Sequence, residues 1–254
     1  MSPVGVGIAV AIGLISGVLA GVFGVGGGIV MTPGIQVLLG APPIVALATP
    51  LPVIFPTALA GALAYRRRGE VDVRAATWLV GPGVVGAALG AWLTTAIDTR
   101  VLLIVTALLL GWQAISILRA GKRRRSSRPA TAAILGGIGA LAGLVSGLLG
   151  IGGGLVMVPL LAGWLGMPLK RALGTSLLAI VALVVPGAVV HGVLGHLDLW
   201  LCLALMVGSV PGARLGAAIA LGARERTLRV VVGCGLLVVS ILYAIEQVTA
   251  MLDR

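Results

Sequence analysis

The chain has 254 residues, of which 59% are hydrophobic and 10% are charged, and its mean hydropathy is +1.18. A soluble domain of this length needs far more polar surface, so composition excludes the soluble globular class and indicates a helical membrane protein. The net charge of +11 does not indicate nucleic-acid binding, because Lys and Arg cluster in short segments between apolar runs, as in cytoplasmic loops of membrane proteins.

The sequence predicts five apolar segments in each half of the chain. They cover residues 4–23, 27–40, 43–65, 73–97 and 100–119, and then 130–149, 153–166, 169–193, 199–222 and 226–247. Most of them approach the ~20 residues that a helix needs to cross a bilayer. The second segment of each half is shorter, since about 14 residues at ~1.5 Å each reach only ~21 Å. We therefore predict that it is one arm of a hairpin or broken helix.

The two halves are copies of one unit. Shifting the chain by 126 residues lays the segment from Gly21 to Pro33 over the segment from Gly147 to Pro159, with eight of thirteen positions identical. The same shift pairs Pro42 with Pro168 and also aligns glycines upstream and downstream of the turns. A register kept over about a hundred residues indicates duplication. We predict a first transmembrane repeat at 1–120, a basic cytoplasmic linker at 121–129 and a second repeat at 130–254.

An odd number of segments per unit predicts that the two units have opposite orientations in the membrane. In that arrangement nearly all Lys and Arg residues outside the apolar runs fall on one side, as the positive-inside rule requires. Both termini, with Asp98, Arg100 and Asp198, would then be periplasmic. Inverted repeats with interrupted helices are typical of secondary transporters that bind substrate near the bilayer midplane. The basic residues assigned to the cytoplasmic side are Arg66, Arg67, Arg68, Arg74, Arg119, Lys122, Arg123, Arg124, Arg125, Arg128, Lys170, Arg171, Arg224, Arg226 and Arg229.

Two glycine-rich turns are the principal candidates for a binding site. Consecutive glycines allow positive φ and leave backbone N–H groups uncovered, and each turn opens a short helix. Together they could form an anion cradle at membrane depth, although the glycines could instead serve only close helix crossing. Neither turn is followed by the Lys-Ser or Lys-Thr of a nucleotide-binding loop. The candidate anion-binding glycines are Gly24, Gly26, Gly27 and Gly28 in the first turn and Gly150, Gly152, Gly153 and Gly154 in the second.

Four polar residues inside or beside apolar segments could assist the turns. Thr49, Thr175 and Ser176 could donate hydroxyl hydrogen bonds to an oxyanion, or bond back to their own helices. Arg214 lies inside an apolar segment, where a charge is costly, but it could reach the membrane surface. All acidic residues fall in loops or near segment ends, which favours an anionic substrate over a cation pathway.

The repeated G-x-G-G-G turn, followed by an apolar residue, Val, Met and a nearby Pro, resembles the sulfite exporter TauE/SafE family over about residues 8–245. The resemblance implies transport of a small sulfur-containing anion, such as sulfite, sulfoacetate or a related organosulfonate, across the cytoplasmic membrane. Pro50 and Pro52 stand opposite Ser176 and Leu178, so the two halves need not contribute equally.

Two other functions are compatible with the sequence. An anion-selective channel could also use inverted halves and glycine-rich turns. An intramembrane hydrolase would need Ser146 and His191 within hydrogen-bonding reach, and no carboxylate at depth is available to orient the histidine. We expect a non-enzymatic protein without a cofactor, metal site or nucleic-acid partner. Its expected partners are the small anion and membrane lipid, and a homodimer is compatible with the sequence.

Overall fold

The computed structural model describes residues 3–94, 97, 99–120 and 130–252, and within these ranges the chain forms helices and turns without a β-strand. Six of the described helical segments are long and apolar enough to cross a membrane, which confirms the prediction of an all-α multi-pass membrane protein. The helices are α1 (Pro3–Phe23), α2 (Gly28–Leu39), α3 (Pro43–Ala48), α4 (Pro50–Arg66), α5 (Val73–Leu93), α6 (Thr99–Ala120), α7 (Ala132–Leu149), α8 (Gly154–Pro159), α9 (Leu169–Val193), α10 (Leu199–Gly222) and α11 (Glu225–Leu252).

The third segment of the first half, predicted over 43–65, extends over Pro43–Arg66 and is interrupted at Thr49, between α3 and α4. The backbone of Thr49 stays helical, with φ −56° and ψ −34°, so the chain does not bend away there. Pro50 and Pro52 have no N–H to donate, and the helical hydrogen-bond ladder is therefore broken between α3 and α4. In the second half Ser176 and Leu178 occupy these positions, and α9 runs without a break.

The short second segments are confirmed as helices that end well before a full span. α2 has 12 residues, and α8 has six before the chain winds more widely as a π-helical turn over Leu160–Trp164. In that turn the N–H of Leu165 donates to the carbonyl oxygen of Leu160. The predicted helix over 153–166 is thus two kinds of helix joined at Pro159, which cannot donate a backbone hydrogen bond itself.

Glycines allow two pairs of helices from opposite halves to lie almost backbone to backbone. A Cβ on Gly17 of α1 would collide with the carbonyl oxygen of Ser209 in α10, and one on Gly143 of α7 would collide with that of Gly83 in α5. Contacts advance in the same direction along both helices of each pair, so the pairs are parallel. Small residues at such crossings bring membrane helices close enough for extensive van der Waals contact. The glycines in these two contacts are Gly13, Gly17, Gly21, Gly208, Gly212 and Gly216, and Gly83, Gly86, Gly90, Gly139, Gly143 and Gly147.

Corresponding helices of the two halves pack in opposite directions. In the α4–α9 contact Gly61 faces Leu177, whereas Gly187 faces Leu51, so the chain advances in one helix as it recedes in the other. The α6–α11 contact is also antiparallel. The Ser240 hydroxyl donates to the Ala107 carbonyl oxygen at 2.9 Å, whereas Gly233, earlier in α11, packs against Leu118, which is later in α6. Antiparallel contact between counterparts is what units of opposite orientation produce, and it supports the predicted inversion.

Many of the described basic residues gather at one end of the molecule, the basic end. There the Lys170 ammonium donates to the Leu221 carbonyl oxygen at 2.7 Å, and Gly174 abuts Tyr65 and the carbonyl oxygen of Glu70. The start of α9 therefore meets the ends of α4 and α10. The basic residues on these ends and on the start of α11 are Arg66, Arg67, Arg68, Lys170, Arg171, Arg224, Arg226 and Arg229.

The opposite end of the molecule joins the start of α1 to the start of α10. Val4, Leu39 and Asp198 line one groove there. The Asp198 N–H also donates to the Thr49 hydroxyl oxygen at 3.4 Å. The predicted linker at 121–129, Asp98, Asp253 and Arg254 lie outside the described residues, as does the side chain of Arg100.

Candidate functional site

The two glycine-rich turns meet at the centre of the molecule. A Cβ on Gly28 would lie 2.8 Å from the carbonyl oxygen of Gly150, and one on Gly154 would lie 2.6 Å from the Cα of Val25. Residues 24–28 and 150–154 are all buried. The structure therefore brings together all eight glycines that the sequence singled out.

Three glycines of each turn have backbone angles that other residues rarely adopt. In the first turn φ is +70° at Gly24, +91° at Gly26 and +93° at Gly27. In the second turn it is +67°, +92° and +75° at the equivalent positions 150, 152 and 153. Any L residue with a Cβ is strained at these angles, so glycine is required here for the backbone path as well as for space.

A run of backbone amides in each turn has no hydrogen-bond acceptor. After each turn, the next backbone N–H that has an acceptor in the described structure is that of Val30 or Val156. These donate to the carbonyl oxygens of Gly27 and Gly153, respectively. The N–H groups of residues 25–29 and 151–155 have no acceptor among the described residues. Buried N–H groups without a partner are rare in folded proteins and are costly. An anion bound against the turns would supply the missing acceptors.

Two isoleucines that the sequence analysis did not single out pack against both turns. A Cβ on Gly26 would lie 2.9 Å from Ile54 Cγ2 and 3.3 Å from Ile180 Cγ2. A Cβ on Gly152 would lie closer to Ile180 Cγ2, at 3.0 Å, than to Ile54 Cγ2, at 3.4 Å. Ile54 lies near the middle of the α3–α4 segment and Ile180 near the middle of α9. The shift of 126 residues pairs Ile54 with Ile180, and the identity of these two residues was the sequence feature that could have identified them as part of the site.

Three buried serines lie next to the turns. Ser176 donates to the Gly24 carbonyl oxygen at 2.7 Å and is also 2.9 Å from that of Leu173, so it fixes the entrance of the first turn. The Ser146 Cβ would be 3.4 Å from a Cβ on Gly153, and the Ser16 carbonyl oxygen 3.2 Å from one on Gly27. The hydroxyls of Ser16 and Ser146 are buried without a partner in the described structure, and sequence reasoning had not assigned either one to the anion site.

The remaining predicted site residues point elsewhere. Thr49 and Thr175 accept hydrogen bonds from the N–H groups of Asp198 and Asp72, at 3.4 and 2.9 Å. Arg214 is exposed and lines a groove with Arg67 and Arg68, whereas the turns are buried. A ligand role for these three predicted residues would need a rearrangement of the side chains from the described structure.

The side chains required for a hydrolase are not paired in this structure. The Ser146 hydroxyl has no hydrogen-bond partner among the described residues, while His191 Nδ1 lies 3.1 Å from His196 Nδ1. A serine nucleophile needs its base within hydrogen-bonding reach. The geometry therefore gives the hydrolase alternative no support.

The fold defines a multi-pass helical membrane protein in which two duplicated halves meet at paired, buried glycine turns. The family model described as "Sulfite exporter TauE/SafE" matches residues 9–243, and the chain belongs to this family of membrane transporters.

Curated relatives cover nearly the whole chain. The "Probable membrane transporter protein YunE" of Bacillus subtilis (strain 168) is 30% identical, over 91% of this chain and 96% of its own length. A "Probable membrane transporter protein" of Xylella fastidiosa (strain 9a5c) is 28% identical over 84% of both chains. No solved structure matches the chain.

Proposed function

We propose that this transporter carries a small sulfur-containing anion, such as sulfite, sulfoacetate or a related organosulfonate, across the cytoplasmic membrane. The anion is held between the two glycine turns. The observation that carries this proposal is the meeting of two runs of five buried amides, residues 25–29 and 151–155, that have no acceptor in the described structure. The substrate class is supported by the description of the family whose model matches.

The chemistry of the turns fits an oxyanion. Several oxygens can accept hydrogen bonds at once, and each bond to a charged group contributes ~1.5–3 kcal/mol. Within the described parts of the chain no Asp or Glu side chain is buried, so no carboxylate repels an anion from the centre. Ser16 and Ser146 contact the turns, and their unpartnered hydroxyls are additional donors.

The arrangement favours alternating access over an open channel. All turn residues are buried, which corresponds to a closed site, and Ile54 and Ile180 pack against both turns. Movement of one half against the other would withdraw these isoleucines and expose the turns to one side at a time. Transport in proteoliposomes should therefore saturate with substrate and show counterflow, whereas a channel would show neither.

The binding experiment compares two glycine variants. Gly27→Ala places a Cβ where φ is +93°, and its nearest neighbour would be the Ser16 carbonyl oxygen at 3.2 Å, so the strain falls mainly on the turn. Gly137→Ala in α7 is the control, since nothing lies within 4 Å of its Cβ. Sulfite and sulfoacetate binding is measured on monodisperse purified protein.

Loss of one or two amide hydrogen bonds should weaken binding by about tenfold to a thousandfold in Gly27→Ala. The control should bind as the parent does. A folded Gly27→Ala protein with parental affinity for every anion that the parent binds would show that the turns serve packing alone.

A further inference from the structure

A groove at the basic end lies between α4 and α10, away from the glycine turns. It has a volume of about 390 Å³. Small residues, among them Ala60, Ala64 and Gly222, line it and leave it open. The remaining lining includes Leu63, which is 42% exposed, so the groove opens on the outer face of the helix bundle.

Three arginines line this groove and no acidic residue does. Arg67 and Arg68 follow α4, and Arg214 comes from α10, eight residues or about 12 Å before the end of that helix. None of the three forms an ion pair or hydrogen bond with another described side chain. Three guanidinium groups around one groove repel one another unless an anion lies between them.

The duplicated fold contains an internal comparison. In the repeat register Arg67, Arg68 and Arg214 correspond to Val193, Leu194 and Ala88, so the equivalent positions in the other half carry no charge. The helix packing alone therefore does not require arginine at these sites. The positive-inside rule accounts for arginines in a loop, but not for Arg214 within an apolar helix.

The apolar surroundings identify the kind of anion. Leu215 and Ile219 on the outer face of α10 are 55% and 59% exposed, as expected of side chains that face acyl chains. A groove with guanidinium groups at the membrane surface and apolar side chains beside it matches a phospholipid, which has a phosphate and adjoining hydrocarbon. We propose that this groove binds the phosphate headgroup of an anionic phospholipid of the cytoplasmic leaflet.

The test measures lipid binding to the full-length protein in detergent by native mass spectrometry and thermal shift. The probes are phosphatidylglycerol, phosphatidylcholine and inorganic phosphate. Phosphatidylglycerol should bind and raise the unfolding temperature, whereas inorganic phosphate at the same concentration should do neither. One variant is Arg214→Gln, and the other combines Arg67→Gln with Arg68→Gln, both at exposed positions. The control is Arg226→Gln, which replaces an exposed arginine outside the groove.

Each groove variant should weaken phosphatidylglycerol binding by about tenfold or more, while the control keeps the parental affinity. Parental affinity in the folded double variant would overturn the proposal. Equal binding of phosphatidylglycerol and phosphatidylcholine would also overturn it, because the site would then not select lipids with a net negative headgroup. If inorganic phosphate competes as strongly as the lipid, the groove is a site for free anions and the lipid assignment is wrong.

Discussion

Thr49 and Thr175 hold the same position in the two halves. The hydroxyl oxygen of each accepts a hydrogen bond from the backbone N–H of an aspartate that caps a helix of the other half. Asp72 caps α5 by accepting the Ala75 N–H at 2.9 Å, and its own N–H donates to Thr175. Asp198 does the same for α10 with the Leu201 N–H and Thr49. These hydroxyls therefore join the halves at both ends of the molecule, a role different from the anion binding expected from the sequence, which no observation tests.

Replacing Thr175 separates these two roles. Thr175→Val leaves the partly buried Asp72 N–H without its acceptor, and we expect it to lower the free energy of unfolding by about 0.5–1.5 kcal/mol. Thr175→Ser keeps the hydroxyl and should restore most of that stability. Thermal unfolding in detergent measures the first effect, and anion affinity per folded protein should match that of the parent in both variants. Weaker binding in a Thr175→Val protein of parental stability would instead identify the threonine as a ligand.

At the level of helices, periodicity and the internal repeat predicted most of the fold. α9 and α10 have the predicted bounds, and α1 and α2 differ by one residue at each changed end. The prediction of a segment over 43–65 did not locate the break at Thr49, because a helix can continue its path past Pro50 and Pro52 after losing individual hydrogen bonds. The sequence did not predict the π-helical turn after Pro159, because a short apolar run does not distinguish an α-helix from a π-helix.

The glycine turns were predictable because positive φ depends on residue type, whereas their neighbours depend on tertiary structure. The sequence could not place Ile54 and Ile180 against the turns, since that contact joins α4 and α9 from opposite halves. Nor could it show that Ser176 bonds the Gly24 carbonyl oxygen across 152 residues. Arg214 was assigned from depth along its helix, but the face on which a side chain lies is decided by the packing of α10.

Helix-packing glycines should respond differently from turn glycines. A Cβ on Gly143 would collide with the Gly83 carbonyl oxygen, and backbone cannot move aside as a side chain can. We therefore expect Gly143→Ala to separate α5 from α7 and to destabilise the protein by about 1–3 kcal/mol or more, as overpacking does. Folded yield and unfolding temperature in detergent measure this effect.

Gly137→Ala is the matched control, because Gly137 lies on the same helix with nothing within 4 Å of its Cβ. It should leave yield and unfolding temperature unchanged or slightly higher, since alanine favours helix over glycine. If Gly143→Ala is as stable as this control, the close contact of α5 with α7 is wrong.

For the whole molecule, the separation of charge predicts the orientation in the membrane. Arg66–Arg68, the start of α9 and the end of α10 meet at the basic end, and the turn between α9 and α10 lies at the other. Basic loops are retained in the cytoplasm during insertion. We accordingly propose that the basic end is cytoplasmic and that Asp198 and both chain termini are periplasmic.

Cysteine labelling from outside intact cells tests this orientation. The background replaces Cys202 and Cys234 with Ala, because Cys202 is buried and Cys234 is exposed. Single cysteines are then placed at Leu199, which is 70% exposed beside Asp198, and at Arg226, which is exposed at the start of α11. A membrane-impermeant maleimide should label position 199 in intact cells and position 226 only after the membrane is opened. Labelling of both positions from outside would contradict the antiparallel packing of the two halves, and the reverse pattern would keep the fold but invert its direction in the membrane.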